Sequence, residues 1–197
     1  FRFLQSYLET ADKSKLLVIS AHIPFFQTAM ARETFRSADR LRLFELLKPF
    51  RDILLLTAHS HTQSHVRHGP ATDWHGAGRL HEYNAGAACG GYWSGIKDAE
   101  GIPDAAMEDG TPNGYARLAI KGDDYRLNWF NARQQPNQAM ALHAPMVLRQ
   151  GAYPGFAVFA NVFMARHDTV VEVRIDVGDW HPMVRVQQAD PRVLAIN

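Results

Sequence analysis

The sequence predicts a mixed fold of the α+β or α/β class with a β-rich C-terminal part. Two short apolar runs, in KLLVISAHIP and DILLLTAHSH, are typical of buried strands. Apolar residues at helical spacing lie before and between these runs, and alternating polar and apolar residues follow the second run. These observations indicate a unit of helices and sheet first, and mainly strands afterwards.

The first part of the chain predicts a helix, a strand, a helix and a strand, in that order. Apolar residues on one helical face predict a first helix that ends near Lys13. Residues 16–20 should form the first strand, and Ser37 should cap a second helix that ends at Pro49. With residues 52–57 as the next strand, this part predicts a βαβ-like unit.

The later part of the chain predicts short strands. They are residues 64–67 and 80–84, a hairpin of residues 115–120 and 125–130 joined by KGDD, and residues 156–164, 170–175 and 183–187. Four histidines of this part are irregularly spaced among polar residues, which favours solvated positions: His65, His68, His75 and His81.

The composition excludes several classes of protein. The chain has 197 residues, of which 46% are hydrophobic and 21% are charged, so it can bury a core. A net charge of +1 with scattered arginines predicts no nucleic-acid-binding patch, and no apolar run is long enough for a transmembrane segment. Cys89 is the single cysteine, which excludes an internal disulfide.

His22, His59 and His61 are the candidate metal ligands. Each follows an apolar strand, at the end of the sheet where α/β proteins place their ligands. Imidazole is the commonest protein ligand for transition metals, and the HxH spacing lets His59 and His61 bind one ion or two neighbouring ions. The alternative is that each is an ordinary polar residue at a strand end. Three at equivalent strand ends favour a metal site.

The motifs HIP and AHSH, with a helix between them, resemble the last two metal motifs of calcineurin-like metallophosphoesterases. The segment that contains WSG, GIPD and DGTPNGY is similar to the one that follows those motifs in a bacterial subgroup with its own C-terminal β domain. The resemblance implies the C-terminal half of a β-sandwich flanked by helices, followed by a small all-β module. It also implies hydrolysis of a phosphomonoester or phosphodiester by metal-activated water.

The resemblance also implies a division of the chain. Residues 1–131 would be the C-terminal part of the catalytic domain, residues 132–149 a linker, and residues 150–197 a small β domain. Members of the subgroup are often exported, so a periplasmic or secreted location is expected from the resemblance alone.

In that family an early DxH, a GDxxD, a GNH, a lone His and a GHxH motif hold two divalent ions such as manganese, iron or zinc. The resemblance implies that His22 and His59 bind one ion and that His61 binds the other. Ala58 stands where the family usually has glycine, a change that matters only if the turn needs a positive φ at that residue.

No DxH, GDxxD or GNH motif precedes His22 in this sequence, and the general-acid histidine of the family belongs to the GNH motif. Three neutral histidines also cannot offset the repulsion between two cations. We therefore expect this chain to supply part of a dinuclear site, to bind at most one ion and to be inactive alone. Its expected partners are a phosphoester substrate and either the N-terminal half of the protein or a second copy in a homodimer.

Two other functions stay open from the sequence. One is a non-catalytic binding or interaction module whose metal ligands are vestigial. The other is a mononuclear zinc hydrolase in which the three histidines hold the ion and Glu108 or Asp109 acts as the base.

The long segment from Trp93 to Tyr115 is the candidate substrate-binding loop. Loops of this length in compact domains usually carry a function or are disordered. Trp93 and Tyr115 would be apolar walls of a pocket and Asp109 a polar group in it. The alternative is a structural loop whose aspartates cap turns.

Overall fold

A computed structural model gives the fold of residues 1–26, 35–91, 95–132, 138–144 and 157–191. These residues form mostly small β-sheets with few helices, which is compatible with the predicted C-terminal β domain. The helices that the structure describes are too short and too polar to span a membrane.

The largest sheet has four strands in the order β1-β2-β4-β3. They are β1 Leu16–Ser20, β2 Asp52–Thr57, β3 Gln63–Arg67 and β4 Arg79–Ala85. β1 and β4 both run parallel to β2, whereas β3 is antiparallel to β4. The parallel strands therefore end at the same edge of the sheet, which is the edge where His22 and His59 follow.

Two α-helices pack against one face of this sheet. They are α1 Arg2–Thr10 and α2 Ser37–Leu47, and a 3-10 turn follows at Pro70–Thr72. Alternate residues of β2 and β4 point to this face because side chains alternate along a strand. They join the helices in a core of Leu8, Phe25, Leu43, Phe44, Leu47, Phe50, Ile53, Leu55, Trp74 and Leu80.

The second face of the four-stranded sheet carries the intervening residues of the same strands. Leu54 and Tyr83 are buried on this face, and His81 of β4 bonds to Tyr125 of the next hairpin. Both faces of β2 and β4 are thus covered, as expected for the apolar run of β2, whereas β4 also buries the polar residues His81, Glu82 and Asn84.

In the part of the chain that the structure describes, the remaining strands form three antiparallel pairs. A hairpin joins β5 Gly114–Lys121 to β6 Asp124–Asn131 through a turn in which Gly122 has φ +62°. β7 Met140–His143 pairs with β8 Phe159–Val162, and β9 Glu172–Val173 pairs with β10 His181–Pro182.

The sequence predicted the positions of the elements up to the β5–β6 hairpin well and those of the later strands poorly. The first strand, both helices, the strands of the sheet and the hairpin lie where they were expected, within a few residues. The expectation of strand at residues 183–187 was wrong, because no strand forms there and its neighbour β10 has only two residues. β7 lies inside the predicted linker, since backbone pairing with β8 stabilises a segment whose own side chains are half exposed.

Candidate metal centre

His22 and His59 are brought together by the parallel pairing of β1 and β2. The backbone ladder continues beyond both strands: Ala21 N–H donates to Leu56 O at 2.9 Å, and Ala58 N–H donates to His22 O at 3.0 Å. The two imidazoles then meet edge to face, with His59 Nδ1 at 3.0 Å from His22 Nε2. Both side chains are exposed at this edge of the sheet.

The distance between these nitrogens fits a shared ion. Two imidazole nitrogens that each lie about 2.1 Å from a metal, at a right angle to one another, are about 3.0 Å apart. Without an ion, the same distance permits a hydrogen bond in which one imidazole donates to the other. The distance between the two nitrogens is therefore compatible with adjacent positions around one ion.

His61 lies two residues after His59 in the same loop. A backbone carbonyl orients its imidazole. Its Nδ1–H donates to Gly90 O at 2.6 Å, because a carbonyl can only accept. In the neutral imidazole this fixes the lone pair on Nε2. Metal-binding histidines are commonly oriented in this way, through the ring nitrogen that does not bind the ion.

The turn that carries these two histidines has an unusual backbone. His59 has φ 72° and His61 has φ 50°, in the left-handed region that few residues other than glycine adopt. Such conformations cluster at functional sites, where surrounding contacts hold them. Ala58 is not among the residues of positive φ, so alanine fits where the related motif has glycine.

A buried amide at the end of β4 supports the turn. The Asn84 side chain is buried and donates to the Ser60 hydroxyl, and that hydroxyl lies 3.0 Å from the Thr62 hydroxyl. Ser60 is the residue between the two histidines. This chain of polar groups ties the AHSH turn to the sheet.

The candidate substrate-binding loop contacts the turn on its other side. Glu108 N–H donates to His61 O at 3.1 Å, and Gly91 N–H donates to Ala106 O at 3.0 Å. Gly90 has φ +48°, and a Cβ on it would lie 1.4 Å from Ala105 O. Only glycine therefore allows the loop to pack this closely beside His61.

The three residues proposed to bind substrate lie in different surroundings. The Asp109 carboxylate accepts from Gln63 N–H at 2.6 Å and from Thr111 N–H at 2.9 Å, so both oxygens hold backbone turns. Tyr115 is mainly exposed and stacks on Phe130. Trp93 lies outside the described residues. The Asp109 contacts are compatible with the structural alternative, in which the aspartates of the loop hold backbone N–H groups.

The metal-ligand set in the described ranges is incomplete. Among those residues no three His, Cys, Asp or Glu side chains are grouped closely enough to hold an ion. His22 and His59 form a pair, and His61 is a neighbour that does not complete a three-ligand group. This arrangement does not support a mononuclear site built from the three histidines.

The expectation that the other histidines are solvated was wrong for His68 and His81, which are buried. His68 Nε2 lies 3.0 Å from the buried Glu82 carboxylate. His81 lies between His65 and Tyr125, with its Nε2 at 2.9 Å from His65 Nδ1 and its Nδ1 at 2.5 Å from the Tyr125 hydroxyl. His81 lies in β4, whose residues from Leu80 to Asn84 are all buried because both faces of the strand are covered, so the polar residues of RLHEYNA gave no signal of this burial.

The pKa values of His65 and His81 are strongly lowered. Burial is the main cause, and the positive charge of Arg67 adds to it. The pKa falls to about 4 for His65 and to about 3 for His81. Both imidazoles are therefore neutral at pH 7.

Comparison with known proteins identifies the family. No curated protein and no solved structure matches the chain significantly. Residues 82–197, more than half of the chain, match the model of a family described as the C terminal of calcineurin-like phosphoesterase. The match begins in β4 and includes the candidate loop, the β5–β6 hairpin and all later strands. The chain therefore belongs to the calcineurin-like phosphoesterases, as a C-terminal portion of such a protein.

Proposed function

We propose that this chain is the part of a metal-dependent phosphoesterase that supplies the last histidine ligands of a dinuclear centre. The observation that carries the proposal is the 3.0 Å separation of His22 Nε2 and His59 Nδ1 at the shared end of two parallel strands. Family membership supports the hydrolase class. The substrate would be a phosphomonoester or phosphodiester.

In this proposal His22 and His59 hold one divalent ion and His61 holds the other through Nε2. When bound, the ions supply the positive charge that activates a water molecule and stabilises the phosphoryl oxygens. The residues of this chain hold the histidines in place. Asn84 and Ser60 fix the turn, and the Gly90 carbonyl sets the proton position on His61.

Anionic ligands must come from elsewhere, because neutral imidazoles do not balance the charge of two cations. The described residues place no carboxylate with the histidine pair in a group of three ligands. We therefore propose that aspartates from a segment outside this chain complete the centre. Bivalent manganese, iron or zinc would suit such a mixed set of ligands.

The outer edge of β1 suggests where that segment docks. In the described part of the chain β1 is an edge strand, and Val18 in its centre is partly exposed. An open edge next to the candidate centre is suited to pairing with another strand. The N-terminal half of the protein is the proposed partner, and a second copy of the chain is the alternative.

Activity and metal content test this function directly. We expect the chain alone to bind at most one Mn²⁺ and to hydrolyse bis(p-nitrophenyl) phosphate and p-nitrophenyl phosphate at rates near the background. A longer polypeptide that adds the preceding segment should bind two ions and hydrolyse at least one of the two substrates. In that polypeptide, His59→Ala should abolish turnover and His75→Ala should not, because His75 is exposed and lies in another loop. Two tightly bound ions and strong turnover in the short chain would contradict the proposal.

A second candidate function is an interaction module. Several large apolar side chains at the C-terminal end are exposed in the structure: Val170, Ile175, Val177, Trp180, Val184 and Val186. A patch of this kind often marks a protein contact. This function predicts that Val177→Asp changes the solution mass of the protein without any change in metal binding.

A further inference from the structure

A polar cavity of about 500 Å³ lies at the end of the four-stranded sheet opposite the metal centre. It is lined by the first residues of β2 and β4, by β3 and β6, and by the end of β8 and the segment that follows it. Asp52 at the start of β2 lines it, whereas His59 follows the end of that strand. The length of β2, about 17 Å, therefore separates the two places.

The cavity has an excess of positive charge. Its walls include four arginines, Arg67, Arg79, Arg126 and Arg166, and two aspartates, Asp52 and Asp124. Arg79 is already held by Asp52, with Nε at 2.5 Å from Oδ1. Arg166 pairs with Asp168 at 3.3 Å, but both side chains are about half exposed, so this pair neutralises little of the charge in the cavity.

Two of these guanidinium groups act on the His65–His81 pair, of which His81 is buried and His65 is partly buried. Arg67 is on β3, and Arg166 is on the segment after β8. Each lies close enough to His65 and His81 to disfavour their protonated forms. Both cations line the cavity together with the two histidines, and no charge on the histidines adds to theirs at pH 7.

The hydrogen bonds between the neutral rings determine which ring nitrogens on this wall of the cavity carry a proton. If the Tyr125 hydroxyl donates to His81 Nδ1, then His81 Nε2–H donates to His65 Nδ1, because a neutral imidazole carries one N–H. His65 then has its proton on Nε2. Arg67 bonds to the Tyr125 hydroxyl and favours this direction, since a guanidinium only donates.

We propose that this cavity binds the dianionic phosphate group of a small molecule, held between Arg67 and Arg166 with an N–H of His65 as a neutral donor. Two guanidinium groups match the charge of a phosphate monoester at neutral pH, and guanidinium and phosphate pair through parallel hydrogen bonds. The volume is within the range of sites for small molecules and exceeds what a free phosphate ion fills. The site is independent of the metal centre and of the proposed phosphoesterase activity.

Titration calorimetry with the full chain tests this site. The probes are inorganic phosphate and glycerol phosphate at pH 7 and low ionic strength, with a chelator present so that no metal ion can hold the phosphate. Both should bind with a stoichiometry of one. Arg67→Ala and Arg166→Ala should each weaken binding about tenfold or more. Arg42→Ala, on the exposed side of α2, should leave the affinity unchanged.

Other outcomes overturn the proposal. Binding that survives both arginine variants, or the absence of saturable binding at millimolar phosphate, would exclude the site. Acetate that competes as well as phosphate would exclude selectivity for a dianion. His22→Ala and His59→Ala should not change phosphate binding; if they do, the phosphate binds at the metal centre instead. Arg67→Lys keeps the charge and is the second variant if Arg67→Ala does not fold.

Discussion

Glu82 is the residue that most directly connects the sheet to the loops around it. Its carboxylate is buried and accepts from Phe25 N–H at 2.7 Å and from the Thr57 hydroxyl at 3.2 Å, and it lies 3.0 Å from His68 Nε2. Phe25 follows the His22 motif, and Thr57 ends the strand before His59. One side chain thus contacts the segment after His22 and the strand before His59.

We predict that Glu82→Ala destabilises the protein by about 3 kcal/mol or more, because it leaves buried donors without an acceptor. Urea denaturation followed by circular dichroism measures this change. Glu45→Ala is the matched control, since Glu45 forms an exposed pair with Lys48, and its loss should change stability by less than about 0.5 kcal/mol. Equal effects of the two variants would contradict the role given to Glu82.

The lowered pKa values of His65 and His81 predict acid sensitivity. Their folded-state pKa values, about 4 and about 3, lie below the ordinary value of 6.5. As the pH falls from 6.5 toward these values, the unfolded chain therefore binds more protons than the folded protein. Stability should be complete above about pH 6.5 and should decrease as the pH falls toward 4, by about 1.4 kcal/mol for each unit of pKa difference.

Thermal or urea unfolding at several pH values measures this dependence. His65→Asn should make it shallower, whereas His75→Asn should leave it unchanged because His75 is exposed. A wild-type stability that does not change between pH 6.5 and 4 would contradict the burial of the pair in a neutral form.

At the level of elements, the sequence could predict that His22 and His59 come together, and the structure shows why. Parallel strands end at one edge of a sheet, so two motifs that each follow such a strand by two residues lie side by side. The support from Asn84 and Gly90 could not be predicted, because those contacts are made by a later strand and a later loop. Local patterns carry no information about such distant partners.

The close packing of Gly90 against the candidate substrate-binding loop also depends on contacts between separate elements of the structure. We predict that Gly90→Ala displaces the loop from His61, because the added methyl group would overlap the Ala105 carbonyl. Gly122→Ala is the matched control, since Gly122 also has a positive φ but has open space around its Cβ position. The control should cost about 1 kcal/mol from backbone strain alone.

Amide hydrogen exchange around residues 105–108 distinguishes the two variants. Exchange should be faster in Gly90→Ala and unchanged in Gly122→Ala. The same exchange rates in both variants would show that the close approach does not hold the loop.

For the whole molecule, the sequence predicted the early strands and the sheet edge that carries His22 and His59 better than the C-terminal strands. Buried strands such as β2 have continuous apolar runs and are easily recognised. β7 to β10 have two to four residues each and mostly exposed or half-exposed side chains, so their pairing depends on backbone contacts that leave little pattern in the sequence. The cavity at the far end was not predicted, because its wall joins β3, β6 and the segment after β8.

We propose that His22 and His59 bind the same ion. Calorimetric titration of the chain with Zn²⁺ tests it in the wild type, in His22→Ala, in His59→Ala and in the double variant. If the pair shares one ion, each single variant should lower the affinity at least tenfold, and the loss in the double variant should be smaller than the sum of the two single losses. His75→Ala should bind as the wild type does. Independent, additive losses, or an affinity that neither variant changes, would contradict the account.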